Sequence, residues 1–195
     1  MNEQPVNDRR TLLLTATVDE IARKGTRGMR VDEVAKRAGV SVALIYHHFG
    51  DRSGLLRAAL LHIGDRADDY TDAGPATSTG RERLLAMLLG EVQDDEVVRV
   101  NSAAWGELRG AAIFDETLRP TLHGLTQRWI DDLADAIRVG QADGTIPHTL
   151  GPEATGRNLS ALVEGISARW LTGMATTEQA RAQLAEAAAA LLSAS

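Results

Sequence analysis

Apolar residues in this chain recur every third or fourth position and hardly anywhere every second, a spacing that only a helix turns into one buried face. Leu14, Val18, Ile21 and Ala22 show it first. Strand signs are missing. Aromatic residues make up 4% of the chain, alternating runs of Val, Ile and Thr are few, and no Asn-Gly or Asp-Gly pair joins two of them. The spacing predicts an all-α chain of about nine helices.

Capping and breaking residues set the expected ends of those helices. A first helix over 9–24 closes on Arg23-Lys24-Gly25, cations followed by a glycine that can take a positive φ. A second, over 31–38, has Asp32 and Glu33 in its first turn and Lys36 and Arg37 in its last, so both ends suit the dipole. Arg30 at its expected N-cap lacks a capping oxygen. Gly39 ends it, Ser41 caps a third helix over 42–48, and Asp51 caps a fourth over 52–69. Residues 71–80 are polar and turn-rich, a link to a second helical region. That region is expected to hold helices over 81–94, 96–110 and 115–143, with Pro120 shifting or kinking the start of the last. Pro152 opens a helix to about 172, and Thr176 with Gln179 makes a capping box for one to about 192.

Charge is divided unevenly along the 195 residues. Residues 1–66 carry a net +3 and the remainder a net −9, together the −6 of the whole chain. A basic front and an acidic back suggest a head that faces nucleic acid. There is no cysteine, which excludes disulfide and thiol chemistry. No apolar run approaches the ~18 residues that cross a bilayer, and Met1 to Asp8 lack a signal-peptide layout. A cytoplasmic location with no membrane partner is the expectation. No Gly-rich phosphate loop, nucleophile elbow, zinc-protease motif or carboxylate pair is present, so neither an enzyme nor a cofactor is expected. Asp94-Asp95-Glu96 and Asp131-Asp132 read as solvated helix faces. His47, His48 and His62 lack the spacing and neighbouring ligands of a metal site.

Residues 31–48 are where a function becomes legible. A short helix, a glycine turn and a second short helix make a helix-turn-helix candidate. Ala35 and Ala38 let the helices cross closely, and Val34, Val40 and Ile45 face the core. Val42, Ala43, Leu44, Tyr46 and His47 are left facing outward. Taken alone, Ala38-Gly39-Val40-Ser41 is equally a helix stop followed by a helix start. The longer pattern is Leu13-Leu14…Gly25…Val34-Ala35…Ala38-Gly39-Val40-Ser41…Ile45-Tyr46-His47-His48-Phe49…Arg52…Leu55. It resembles the DNA-binding domain of the TetR (tetracycline-repressor) family of transcription regulators. A later stretch, Gly140-Gln141-Ala142-Asp143-Gly144-Thr145-Ile146, is similar to the ligand-binding half of that family, in the branch that includes the choline-responsive repressors.

The resemblance implies a three-helix helix-turn-helix DNA-binding domain over 1–66 and a helical ligand-binding and dimerisation domain over 67–195. It implies a homodimer on a palindromic operator, released by a small-molecule effector. Carried over by position, the DNA contacts are Arg30, Ser41, Val42, Ala43, Leu44, Tyr46, His47 and Arg52. Val42, Ala43 and Leu44 fall on base edges, and Arg52 replaces the family's usual phosphate-binding Lys. The family often has Thr or Gly where Ala43 and Leu44 stand. Val and Ala can touch a thymine methyl but cannot read donor and acceptor patterns. Phe49 is expected in the core and Tyr46 outside it, while His48 suits either place.

Large apolar groups on the later helices suit an effector pocket with a few polar anchors. The candidates are Asn101, Trp105, Leu108, Phe114, Leu122 and Trp129, with Ser102, Glu107 and Arg109 as further polar contacts. Taken singly, each of the apolar ones reads more readily as core filling, and the family resemblance favours the pocket as a whole. Leu159, Leu162, Val163, Ile166 and Trp170, then Ala180, Leu184, Ala187 and Leu191, suggest dimerisation through the last two helices. The competing reading is a helical small-molecule-binding or catalytic protein whose front domain serves protein contacts. Salt-sensitive binding to a palindromic duplex separates the two.

Overall fold

The computed structural model describes residues 4–71 and 78–193, with side chains from Arg9 onward. Among these residues every regular element is helical. They are α1 (Gln4–Gly28), α2 (Val31–Ala38), α3 (Val42–Phe49), α4 (Arg52–Tyr70), α5 (Gly80–Gly90), α6 (Glu96–Ala111), α7 (Arg119–Ala142), α8 (Pro152–Leu171) and α9 (Thr177–Ser193). A one-turn 3-10 helix, Glu116–Leu118, precedes α7. The middle of the expected link, 72–77, lies outside the described residues. The chain forms two compact units, one of residues up to 66 with 100–123, the other of 67–99 with 124–195. Residues 100–123 thus pack with the head, although they follow the expected domain boundary in sequence.

The first unit closes on a core to which five helices contribute. Leu13, Val18 and Ile21 of α1, Val34 of α2, Ile45 of α3, Leu55 and Leu60 of α4, and Leu108 of α6 are all fully buried. Helical geometry in α1 breaks at Gly25 (φ 74°, ψ 166°), where the sequence places its end, and one further turn runs on to Gly28. Ala22 is only half-buried.

One charged side chain also sits in this interior. Glu20 is 1% exposed. Its carboxylate lies 2.7 Å from Lys24 Nζ and 3.7 Å from Arg37 Nη2 of α2, and accepts a hydrogen bond from Arg23. Lys24 reaches Glu33 of α2 at 2.5 Å as well. Burial pushes the Glu20 carboxyl up, but the bonds from Lys24 and Arg23 outweigh it and hold the group at about 2. The cluster ties the end of α1 to α2.

The second unit is built around Leu84 and Leu88 of α5, Leu133 and Ile137 of α7, Leu159 and Trp170 of α8, and Leu184 of α9. The Trp170 indole N–H donates to Thr177 Oγ1 at 2.8 Å, and the Arg99 guanidinium lies 4.6 Å over its ring. Two capping boxes act, one of them expected from the sequence. Thr79 and Glu82 form a box at α5, and Thr176 with Gln179 forms the predicted one at α9. Two boundaries differ from expectation. α5 ends at Gly90 rather than near 94, because Arg181 donates to the Leu89 and Val92 carbonyls and Gln93 to that of Gly90. Those carbonyls need no further turn of helix. α7 starts at Arg119 rather than 115, since Pro120 fits a first turn but cannot supply an N–H deeper in a helix.

A correction concerns the last two helices. Leu159, Val163, Ile166, Trp170, Ala180 and Leu184, read from sequence as an interface, fill the core of this unit instead. The outward faces carry Ala161, Gly165 and Ala168 on α8 and Ala182, Ala189 and Ala190 on α9. Leu162, Ala187 and Leu191 are half-buried. Among the described residues no helix is long and apolar enough to cross a membrane.

The Glu20 cluster generates a pH-dependent expectation. A carboxyl held at about 2 when folded, against 4.5 for the ordinary group, contributes stability that is fully present above about 4.5. That contribution is lost as pH falls toward 2. Glu20→Gln therefore lowers the unfolding free energy by roughly 3 kcal/mol at pH 7. Urea unfolding of both proteins should show the gap closing between pH 4.5 and 2; a gap independent of pH would remove the charge argument.

Candidate nucleic-acid interface

α2 and α3 are eight residues each, too short to persist as isolated helices, so their ends and their shared core hold them. Gly39 terminates α2 in the left-handed region (φ 67°, ψ 33°). Its N–H donates to the Lys36 carbonyl, and the Val40 N–H to that of Ala35 at 3.0 Å. These bonds close the last turn of α2 and redirect the chain within two residues. Ser41, extended in backbone, starts α3 by accepting the Leu44 N–H on its hydroxyl at 3.2 Å. Arg30 precedes α2 with no side-chain cap bond.

Ile45 is the one buried side chain of α3. Its fixed direction decides what the rest of the helix presents. Ser41, Ala43, Tyr46 and His47 are exposed; Val42 and Leu44 are half-buried. Phe49 is half-buried, with the Arg10 guanidinium 5.6 Å from its ring centroid, and the half-buried His48 lies edge-on to His47 at 5.7 Å. Arg30 and Arg52 are exposed. Arg52 opens α4, and its guanidinium donates to the Thr26 carbonyl. The eight candidates thus cluster on α3 and at the starts of α2 and α4.

The effector candidates fall in different surroundings. In the first unit, Leu108 is buried and the Asn101 amide donates to the Ile63 carbonyl at 2.9 Å. Trp105 and Leu122 are half-buried there, while Phe114 is 79% exposed and lines an open cleft of about 890 Å³. Glu107 lines the same cleft and accepts the Thr26 N–H. Trp129 packs on the core of the second unit. Sequence reasoning missed Glu91, just after α5. It is half-buried, and the protein around its carboxyl pushes that group up to about 7. Nothing in its sequence neighbourhood marks it, because burial of a single carboxyl is set by the fold and not by a local pattern. Among the described residues no cluster of His, Cys, Asp or Glu is placed to hold a metal ion.

Two family models match the chain. "Bacterial regulatory proteins, tetR family" matches residues 13–59, and "BetI-type transcriptional repressor, C-terminal" matches 80–193. The HTH-type transcriptional regulator BetI of Burkholderia lata is 30% identical over 167 residues, 85% of this chain and 81% of that one. Among solved structures, a Rhodococcus sp. protein described as a TetR-family transcriptional regulator is 46% identical. It superposes with a TM-score of 0.90 over 96% of this chain and 100% of its own. A transcriptional regulator from Saccharomonospora viridis, solved in complex with choline, is 25% identical with a TM-score of 0.81, over 92% and 95% of the two chains.

Proposed function

Since this chain belongs to the TetR family of bacterial regulatory proteins, we propose that it reads a palindromic operator as a homodimer, with α3 in the major groove. It is a DNA-binding transcriptional repressor of the BetI type and not an enzyme. Residues 1–66 take the DNA-binding role, in the cytoplasm of a bacterial cell, and residues 67–195 the effector and dimer roles. The observation that carries this reading is the exposed edge of α3, held by Ile45 and capped at both ends, on a head of net charge +3.

Base contacts fall to Val42, Ala43, Leu44 and His47, phosphate contacts to Arg30, Ser41, Tyr46 and Arg52. Apolar side chains at three base-facing positions favour thymine methyls, with DNA shape supplying the rest of the preference. Duplexes selected from a random pool by the purified protein should converge on a palindrome. On that palindrome His47→Ala should change the preferred base at one position. Arg30→Ala should weaken palindrome and random duplex alike and lower the salt slope by about one. A pool that stays random sinks the reading.

The effector follows from the relatives. The choline complex of the Saccharomonospora viridis protein makes a small quaternary ammonium the first compound to test. In the second unit the half-buried Trp129 is the aromatic candidate for such a cation, and Glu91 supplies a carboxyl with no salt bridge to it among the described residues. A bound cation favours the ionised carboxylate, so affinity should rise from pH 6 to pH 8, across the Glu91 value of about 7. Titrating choline against Trp fluorescence reads this directly. The same rise in Glu91→Gln would dismiss Glu91, and no fluorescence change at all would dismiss choline.

The dimer is assigned to the outward faces of α8 and α9. Gly165 suits a test, because it is exposed and a Cβ built there meets nothing within 4 Å. Gly165→Arg should sediment as a folded monomer with an unchanged helical spectrum. A dimeric Gly165→Arg protein would place the interface elsewhere.

A further inference from the structure

The backbone of Thr26 is held at both its N–H and its carbonyl by helices remote in sequence. Its N–H donates to the Glu107 carboxylate of α6 at 3.1 Å, and its carbonyl accepts from Arg52 of α4. The approach is close. A Cβ built on Gly25 would lie 2.8 Å from Glu107 Oε2, and Gly25 also holds a positive φ of 74°. The positive φ favours glycine there, and a Cβ would push the Glu107 carboxylate away from the Thr26 N–H. Thr26 is buried, yet Glu107 stands on the wall of the open cleft beside Gly106 and Gly110, which put no side chain between it and water.

Such a bond suits positioning more than stability. The carboxylate is exposed, the buried apolar contacts of α6 at Ala104 and Leu108 are independent of it, and water can replace it when the helix shifts. What it specifies is the register between α6 and the turn that leads from α1 into α2.

We propose that Glu107 is a positioning residue for operator binding: its bond to the Thr26 amide, with Arg52 on the carbonyl, latches the helix-turn-helix to α6 and so sets where α3 is presented. The proposal rests on the reading of α3 as the recognition helix of a dimer. A loosened latch leaves each head able to bind one half-site, since Glu107 lies outside the DNA-contact set. It impairs the simultaneous fit of two heads to a palindrome of fixed spacing.

The test compares wild type, Glu107→Ala and Glu107→Gln on two duplexes, the selected palindrome and a single half-site of it. Glu107→Ala should bind the palindrome at least about five-fold more weakly and the half-site as wild type does. Its melting temperature should fall by no more than about 4 °C, and amide exchange over residues 25–30 should quicken. Glu107→Gln keeps an acceptor oxygen and should recover most of the palindrome affinity. Equal losses on both duplexes, unchanged palindrome binding by Glu107→Ala, or a Glu107→Gln as weak as Glu107→Ala would each overturn the latch. Wild type that fails to prefer the palindrome over the half-site would instead overturn the dimeric DNA reading, and the latch with it.

Discussion

Ile45 is the single side chain that α3 commits to the interior, and the orientation of every other residue on that helix depends on it. Eight residues cannot stabilise a helix through propensity alone. The turn at Gly39 and the cap at Ser41 bring α3 to the core at one angle, and burial of Ile45 locks its rotation. A helix so short and so lightly anchored can present most of its surface to a partner. That is what major-groove reading asks of it.

Polar contacts in the first unit divide into two kinds. The Glu20 carboxylate is buried and links α1 to α2 inside the head, and losing its cations would leave that charge unpaired in a poorly hydrated place. The Thr26 backbone is gripped instead at the rim of an open cleft, where water competes for the same groups. Burial makes the first kind permanent, and exposure lets the second kind be made and unmade. A regulator needs both: a head that keeps its shape, and a joint whose state can be shifted by a few kcal/mol at most.

The acidic second unit is organised differently. Its helices are fixed by caps and side chains that occupy carbonyls, as Arg181 and Gln93 do at the end of α5. Most of its large apolar residues on α8 and α9 are consumed within the protomer, and alanine and glycine stand among the exposed positions that remain. Faces of that kind can approach a second copy closely, because there is little side chain to hold the backbones apart.

Periodicity, caps and breakers are local properties, and they were enough to determine the all-helical class, the helix-turn-helix at 31–48, and the ends of α2, α3, α4, α8 and α9 to within a residue or two. The same local reading made the α3 face legible, since in so short a helix a single buried position settles the rest. Where contacts between distant segments compete with local preference, tertiary structure decided. Arg181 stopped α5 early, packing turned Leu159 and Leu184 inward, and burial raised the Glu91 carboxyl. Glu107, a candidate polar contact by sequence, also accepts the Thr26 N–H, a bond that only the fold brings about. A helix pattern states which face is apolar, but not which partner covers it, and hydrogen bonds spanning eighty residues leave no trace in either strand of sequence they join.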